Sequence, residues 1–137
     1  MQQTLLDPNL NAPLRVYAVW FNMYPGDARE RWRAALLTDA RVRHYWDEQR
    51  SVGRRYLQTL ARLWPVRGAE TVVPQADALW DAYLLYPPDA RWDEELPDVV
   101  SWGSTILRTK ETLDLDIQRT LKPWRAKGRA QSPGMSR

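Results

Sequence analysis

The sequence predicts one small α/β domain in which a small mixed sheet is flanked by helices. A length of 137 residues fits a single domain with a core of its own. Short runs of β-branched and aromatic residues alternate with longer segments whose apolar residues recur every three or four positions. The chain contains no cysteine, so packing rather than disulfide bonds must hold this core together.

The first predicted strand follows an irregular start. Residues 1–13 include Pro8 and Pro13 and show no sustained periodicity, so we expect an extended N-terminal arm. Residues 14–20, LRVYAVW, form a nearly continuous apolar run, which is typical of a central, buried strand. The chain has eight tryptophans and six tyrosines, so we expect aromatic packing to dominate the core.

A turn and a helix should follow this strand. Tyr24 to Asp27 read Tyr-Pro-Gly-Asp, in which Pro-Gly favours a turn. Asp27 is a candidate helix N-cap, and Glu30 lies three residues later, as a capping box requires. We therefore predict a helix over residues 28–37, with Trp32 in its buried stripe.

Residues 40–64 are predicted to be helical, because their apolar positions recur mostly at spacings of three and four. Gly53 interrupts this pattern, so one long helix and two shorter ones that meet near residues 49–53 both fit. Pro65 ends the element. The apolar positions are Val42, Tyr45, Trp46, Val52, Tyr56, Leu57, Leu60, Leu63 and Trp64.

Two further strands and a last helix complete the predicted domain. Residues 79–86 and 99–107 are the strand candidates, and an acidic loop too long for a tight hairpin joins them. A final amphipathic helix is predicted over residues 110–121. Leu113, Ile117 and Leu121 should form its buried stripe, and Pro123 should stop it. We expect one domain over residues 14–122 and a basic, flexible tail over 123–137.

The net charge of +3 conceals a strong separation of charge along the chain. Residues 29–67 hold ten arginines against four acidic residues, and residues 70–98 hold eight acidic residues against Arg91 alone. The segment 122–137 has five basic residues and no acidic one. These opposite charges could pair across the fold or between two copies of the chain, and would choose orientation more than supply affinity.

The order of these elements resembles the thioredoxin-like fold, a three-layer sandwich with a small mixed sheet between helices. The matching segments are VYAVWF (16–21), NMYPGDARERW (22–32), AYLLYPP (82–88) and SWGSTILRTKETL (101–113). The resemblance implies a first strand parallel to its sheet that leads into an active-site loop. It also implies a final β-hairpin followed by a C-terminal helix. The chain is similar, too, to uncharacterised bacterial proteins with VWF, PGDAR, LTD and YWDE stretches.

Two departures from the thioredoxin-like pattern remove the redox chemistry. Residues 24–27 stand where the family keeps its active cysteines, and no proline directly precedes Ala82, where the family usually has a cis-proline. Thiol redox activity is therefore excluded. The resemblance still implies a binding surface on the Tyr24 to Trp32 face. The expected ligand-binding residues are Asn22, Tyr24, Gly26, Asp27, Arg29 and Trp32.

Two readings of the loop at 22–27 stay open. A helix N-terminus offers unpaired N–H groups to an anionic ligand, whereas Asp27 as N-cap would occupy those donors and add negative charge. His44 is the only histidine. On a helix it would share a face with Asp47, so His44, Asp47 and Asp27 are candidate catalytic residues. The alternative for His44 is a solvated side-chain pair on the helix surface.

Other chemistry has no support in the sequence. No Ser-centred elbow, P-loop or GxGxxG motif is present, so we expect no cofactor. The acidic cluster at residues 89–98 lacks the spacing of an EF-hand, so we expect no metal site. The start of the chain shows no basic and apolar signal pattern, and no apolar run approaches the roughly 20 residues of a membrane span. We expect a cytoplasmic protein without a membrane partner.

We therefore expect a non-redox, thioredoxin-like binding or protein-interaction module, because surplus tryptophan is typical of interface anchors. A protein partner or self-association, as in a homodimer, is the corresponding expectation. The first alternative is a small cofactor-free enzyme that uses the 22–32 loop and His44. The second is polyanion or nucleic-acid binding through the basic tail. The arginine-rich segment 29–67, with its Trp and Tyr residues, also has the right chemistry for stacking on bases.

Overall fold

The computed structural model describes residues 1–31, 36–59, 77–93 and 95–130, with the backbone alone for 124–130. Over these ranges the chain is mixed α/β, with four strands in two small sheets and two α-helices. The strands are β1 (Val16–Trp20), β2 (Val42–Trp46), β3 (Ala82–Leu85) and β4 (Ser101–Ser104), and the helices are α1 (Ser51–Gln58) and α2 (Ile106–Ala130).

The first sheet is a parallel pair formed by β1 and β2. Val16 lies opposite Val42, and Trp20 lies opposite Trp46. Side chains alternate between the two sides of a strand, so Tyr17 and Val19 share one sheet face with Arg43 and Tyr45. Trp20 and His44 lie on the opposite face.

The predicted helix over residues 40–64 is wrong in its first part, where β2 lies. Residues 42, 45 and 46 fit a helical stripe, but the bonds that β2 forms with β1 decide the conformation, since a strand pairing overrides local spacing. The second part holds α1, and residues 60–64 lie outside the described ranges. The expectation that β1 is wholly buried is also wrong, because Tyr17 is 48% exposed.

The second sheet is an antiparallel pair formed by β3 and β4, within the ranges predicted for two strands. Helices cover both of its faces. On one face Tyr83 and Leu85 pack with the buried stripe of α2, which consists of Leu113, Ile117 and Leu121. On the other face Trp102, completely buried, packs with Leu84 and with Tyr56 and Leu57 of α1.

The last helix is longer than predicted at both ends. α2 begins at Ile106 and continues through Pro123 to Ala130, so the prediction that Pro123 stops it, and that a flexible tail begins there, is wrong. A proline removes one intrahelical hydrogen bond, here the bond to the carbonyl of Arg119. Arg119 and Pro123 are both exposed, so water can reach that carbonyl. Residues 131–137 of the predicted tail lie outside the described ranges.

The N-terminal segment is folded rather than extended. A π-helical turn at Gln2–Leu6 leads into a 3-10 turn at Asp7–Asn9, which overturns the predicted arm. Leu5 and Ala12 belong to the core cluster of β3 and α2, and Leu6 is almost completely buried. Burial of these apolar side chains offsets the entropy cost of ordering the segment.

Arg41 fastens the N-terminal segment to the start of β2. Its guanidinium donates to the carbonyls of Leu6 at 2.8 Å, Asn9 at 2.5 Å and Ala12 at 3.2 Å. It also forms a bidentate pair with Asp39, at 2.9 Å from Nε and 2.6 Å from Nη2. The hydrogen bond from the Arg41 side chain lowers the pKa of the Asp39 carboxyl to about 2.

Gly53 marks a close approach between α1 and the chain before β3. A Cβ at this position would lie 2.8 Å from the carbonyl oxygen of Leu79 and 3.0 Å from the Cβ of Ala78. The Gly53 carbonyl also accepts a hydrogen bond from the Leu79 N–H at 2.9 Å. The glycine inside the predicted helical pattern is therefore explained by packing.

Candidate functional site

The loop after β1 folds around the side chain of Asp27. Its carboxylate accepts the backbone N–H groups of Met23 and Tyr24, both at 2.8 Å, and these bonds lower its pKa. Asp27 thus closes the loop that precedes it. The predicted capping box with Glu30 is not what this carboxylate does, because its backbone partners lie before it in the chain. The described part of the predicted helix is a single 3-10 turn, Arg29–Arg31.

The other residues predicted to bind a ligand on this loop lie in varied surroundings. Gly26 adopts a φ of 93°, which favours glycine, and its carbonyl accepts a hydrogen bond from Arg31 at 3.3 Å. Tyr24 is exposed and meets the ring of Trp80 edge to face at 6.4 Å. Asn22 is half-buried, Arg29 is exposed, and Trp32 lies outside the described residues. A ligand-binding role for this set stays a prediction.

His44 lies on a strand, so the helix face that would align it with Asp47 does not exist. Its Nδ1 accepts the indole N–H of Trp20 at 3.1 Å, and its Nε2 lies 3.0 Å from the carbonyl oxygen of Leu37. An indole can only donate and a carbonyl can only accept, so Nδ1 is the acceptor in this arrangement and Nε2 is the donor. Both ring nitrogens are therefore hydrogen-bonded within the fold, and they join β2 to Trp20 of β1 and to Leu37.

Asp47 serves the start of α1. Its carboxylate accepts the backbone N–H of Val52, in the first turn of the helix, at 2.7 Å. Its own N–H donates to the carbonyl of Trp20 at 2.8 Å, which extends the pairing of the two parallel strands. The Asp47 carboxylate thus accepts one of the N–H groups that have no partner within the helix, although the N-cap residue itself is Arg50.

An aromatic surface that sequence reasoning missed lies on one face of the parallel pair. Tyr17, Tyr45 and Trp92 are 48%, 53% and 49% exposed, and we call these three residues the aromatic face. The ring of Tyr17 lies 6.3 Å from that of Tyr45 and 6.0 Å from that of Trp92, centroid to centroid. Three partly exposed rings thus form one continuous surface from three separate segments.

Two half-buried tyrosines hold Trp92 in place. Its ring packs edge to face on Tyr86 at 4.8 Å, and its indole N–H lies 3.4 Å from the hydroxyl of Tyr56. The Tyr56 and Tyr86 hydroxyls share a hydrogen bond of 2.7 Å. Burial, with help from this bond, raises the pKa of Tyr86. The hydroxyl pair and the Tyr86 ring therefore hold the indole in one position.

Exposed residues of both charges lie next to the residues of the aromatic face, in the strand register or along the chain. Arg43, on the same sheet face, and Arg15, just before β1, are exposed. Exposed Arg91 directly precedes Trp92, and exposed acids flank the two in the chain between β3 and β4, namely Asp89, Asp93, Glu95 and Asp98. Within the described ranges none of these charged groups forms an ion pair. By contrast, Asp77 pairs with Arg50 at 3.0 Å and Arg54 at 3.2 Å.

Some of the predicted pairing between the basic and acidic segments therefore occurs within the fold. Asp77 joins the acidic segment to α1, and the hydrogen bond from Arg54 lowers its pKa. The acids around Trp92 remain at the surface. The expectation that aromatic packing dominates the core is wrong for the described part, where Trp102 and Tyr83 are the only buried aromatic residues.

Over the same ranges, no three histidine or acidic side chains come together as a group that could hold a metal ion. Neither described helix is long and apolar enough to cross a membrane. No protein-family model, no curated protein and no solved structure matches this chain.

Proposed function

We propose that this chain is a non-redox protein-interaction module, built on a thioredoxin-like arrangement, whose contact surface is the aromatic face. The observation that carries the proposal is that three aromatic residues are each about half exposed, while the Tyr17 ring packs against the other two. Exposed, clustered Tyr and Trp side chains are the residues that supply most binding energy at protein interfaces. The proposed contact surface therefore lies on β1, β2 and the segment before β4, rather than on the loop at 22–32 that the sequence suggested.

The fixed geometry of Trp92 supports this role. Its contacts with Tyr86 and Tyr17 and its hydrogen bond to Tyr56 hold the ring before any partner arrives. A side chain that is already ordered loses little conformational entropy on binding. The aromatic face is thus ordered before a partner binds.

The order of strands and helices supports the thioredoxin-like arrangement. A parallel pair comes first, an antiparallel pair follows, and a helix comes after the last strand. That is the order the resemblance implies, although the second strand is β2 rather than the segment at residues 79–86, and the described strands form two separate sheets rather than one mixed sheet. No redox role follows, since the chain has no cysteine.

The alternative of a small enzyme receives less support. His44 has both ring nitrogens bonded within the fold, and the carboxylates of Asp27 and Asp47 each accept backbone N–H groups. A general base needs a nitrogen or oxygen within reach of a substrate proton. The side chains of these three residues form hydrogen bonds within the fold instead.

Site-specific photo-crosslinking in producing cells tests the proposed function. A photoreactive phenylalanine analogue replaces Tyr45 on the aromatic face, and in a matched control it replaces Leu107, which is 80% exposed on α2. We expect an adduct of discrete mass with a protein from position 45, lost when Trp92→Ser is added, and none from position 107. The absence of any such adduct, or an adduct that nuclease digests, would overturn the proposal.

A further inference from the structure

We infer that the occupant of the aromatic face is a second copy of this chain, docked face to face about a twofold axis. This inference rests on the proposed function and names its partner. The aromatic face carries a basic side chain beside Tyr17, that of Arg43 on β2, with Arg15 just before β1, and acidic residues beside Trp92, namely Asp93 and Glu95. A surface that combines packed aromatic rings with unlike charges beside two of them can be complementary to itself.

Twofold symmetry brings unlike charges together. In an isologous contact, if residue i of one copy meets residue j of the other, then j of the first also meets i of the second. An axis that passes near Tyr17 and Trp92 stacks aromatic on aromatic. It sets Arg43 of each copy against the Asp93 region of the other, so each dimer gains two sets of opposite-charge contacts.

The charges needed for this contact are not used inside the described part of one chain. Acids with ion pairs there are Asp39, Asp77 and Asp116, which pair with Arg41, with Arg50 and Arg54, and with Arg119. Arg43, Asp93 and Glu95 have no such pair within the described residues, and all three are exposed. This surface therefore carries charged side chains of both signs that have no ion-pair partner within the described residues, and a second copy can neutralise them.

A nucleic acid is a poorer match for the same surface. Arg43 between two tyrosines suits the stacking of bases. However, exposed carboxylates at residues 89, 93 and 95 flank Trp92, and they repel phosphates over the distance that the tryptophan would need to contact a base. A second copy meets both the basic and the acidic residues.

Sedimentation equilibrium of the full chain and of charge-reversed variants tests the inference. Wild type is expected to dimerise, and Arg43→Glu alone, or Asp93→Arg with Glu95→Arg, is expected to weaken the dimer by about tenfold or more. An equal mixture of the two variants should dimerise again, because the reversed charges now match across the axis. Leu107→Ser, at an exposed position on α2, is the control and should leave the dimer unchanged.

Each other outcome has a defined meaning. A monomeric wild type, or a mixture no better than its components, overturns the second copy as occupant. If crosslinking at position 45 still yields an adduct with a different protein, the proposed function stands and only this inference fails. If crosslinking yields nothing, both fail. Tyr17→Ser is a second disrupting variant, and far-ultraviolet circular dichroism establishes that each variant is folded.

Discussion

The two sheets of this molecule use the same kinds of residues in opposite ways. All four residues of β4 are buried, and helices cover the β3/β4 sheet on both faces. The β1/β2 pair leaves one face with two tyrosines about half exposed, and Trp92 lies against them. Aromatic residues are therefore buried in one half and form an exposed surface in the other, and the proposed contact surface lies in the second half.

The largest expected effect is a difference in stability between substitutions at two tryptophans. Trp102→Ala should lower the free energy of unfolding by about 3–5 kcal/mol, because Trp102 is completely buried and its removal leaves a cavity. Trp92→Ala should cost about 1 kcal/mol or less, since half of that side chain is already exposed. Denaturant unfolding at low protein concentration measures both. Equal losses would erase the distinction between core and contact surface.

The second effect concerns the attachment of the N-terminal segment to the parallel pair. Arg41→Met removes the donor to three backbone carbonyls, so we expect a loss of about 2–3 kcal/mol at roughly 1 kcal/mol for each bond. Arg55→Met, at an exposed position on α1, is the matched control and should be nearly neutral. If the two variants unfold at the same denaturant concentration, the N-terminal segment does not depend on Arg41.

The third effect is a reversal of sign at Gly53. Helix propensity alone favours Gly53→Ala by about 1 kcal/mol. The contact with the Leu79 carbonyl at 2.8 Å instead predicts a destabilisation of about 1–3 kcal/mol, because the added methyl group has no room. Gln58→Ala, exposed on the same helix, provides the comparison in thermal unfolding. A more stable Gly53→Ala variant would contradict this close approach.

The smallest effect is a dependence on pH that belongs to the N-terminal half. Asp39 has a pKa of about 2 in the folded chain, below the roughly 3.9 of an unfolded aspartate. Its contribution to stability is therefore fully present above roughly pH 4 and is lost as the pH falls towards 2.

Asp39→Asn should lower the thermal midpoint at neutral pH and reduce its decline between roughly pH 4 and 2. Arg41→Met removes the same pair from its other side, so it should flatten the decline in the same way. Midpoints measured across this window provide the check. A decline as steep as that of wild type in both variants would show that other carboxylates control acid unfolding.

The β3/β4 half was predictable because its signals are local. Residues 79–86 and 99–107 contain the two strands, and the spacing of Leu113, Ile117 and Leu121 marks the buried side of α2. The β1/β2 half was not, because β2 is a strand only through its partner, and residues 42, 45 and 46 equally fit a helical stripe. Folding of the first nine residues likewise depends on contacts with distant segments.

The candidate site was missed for the same reason. Tyr17, Tyr45 and Trp92 come from three segments, and no spacing along the chain connects them. The usable signal was the alternation in β1 and β2, which sets Tyr17 on one face with Arg43 and Tyr45 once the parallel register is known. The turn at residues 24–27 was easier to notice because its motif is contiguous, yet Asp27 serves the loop itself.

The packing of the N-terminal segment against α2 also constrains the order of folding during translation. Leu5 and Ala12 share a core cluster with Leu113 and Ile117, and the Gln118 amide lies 3.3 Å from the Asn9 side chain. A ribosome releases the first of these residues long before the last. The early segment therefore cannot complete this packing until α2 has emerged.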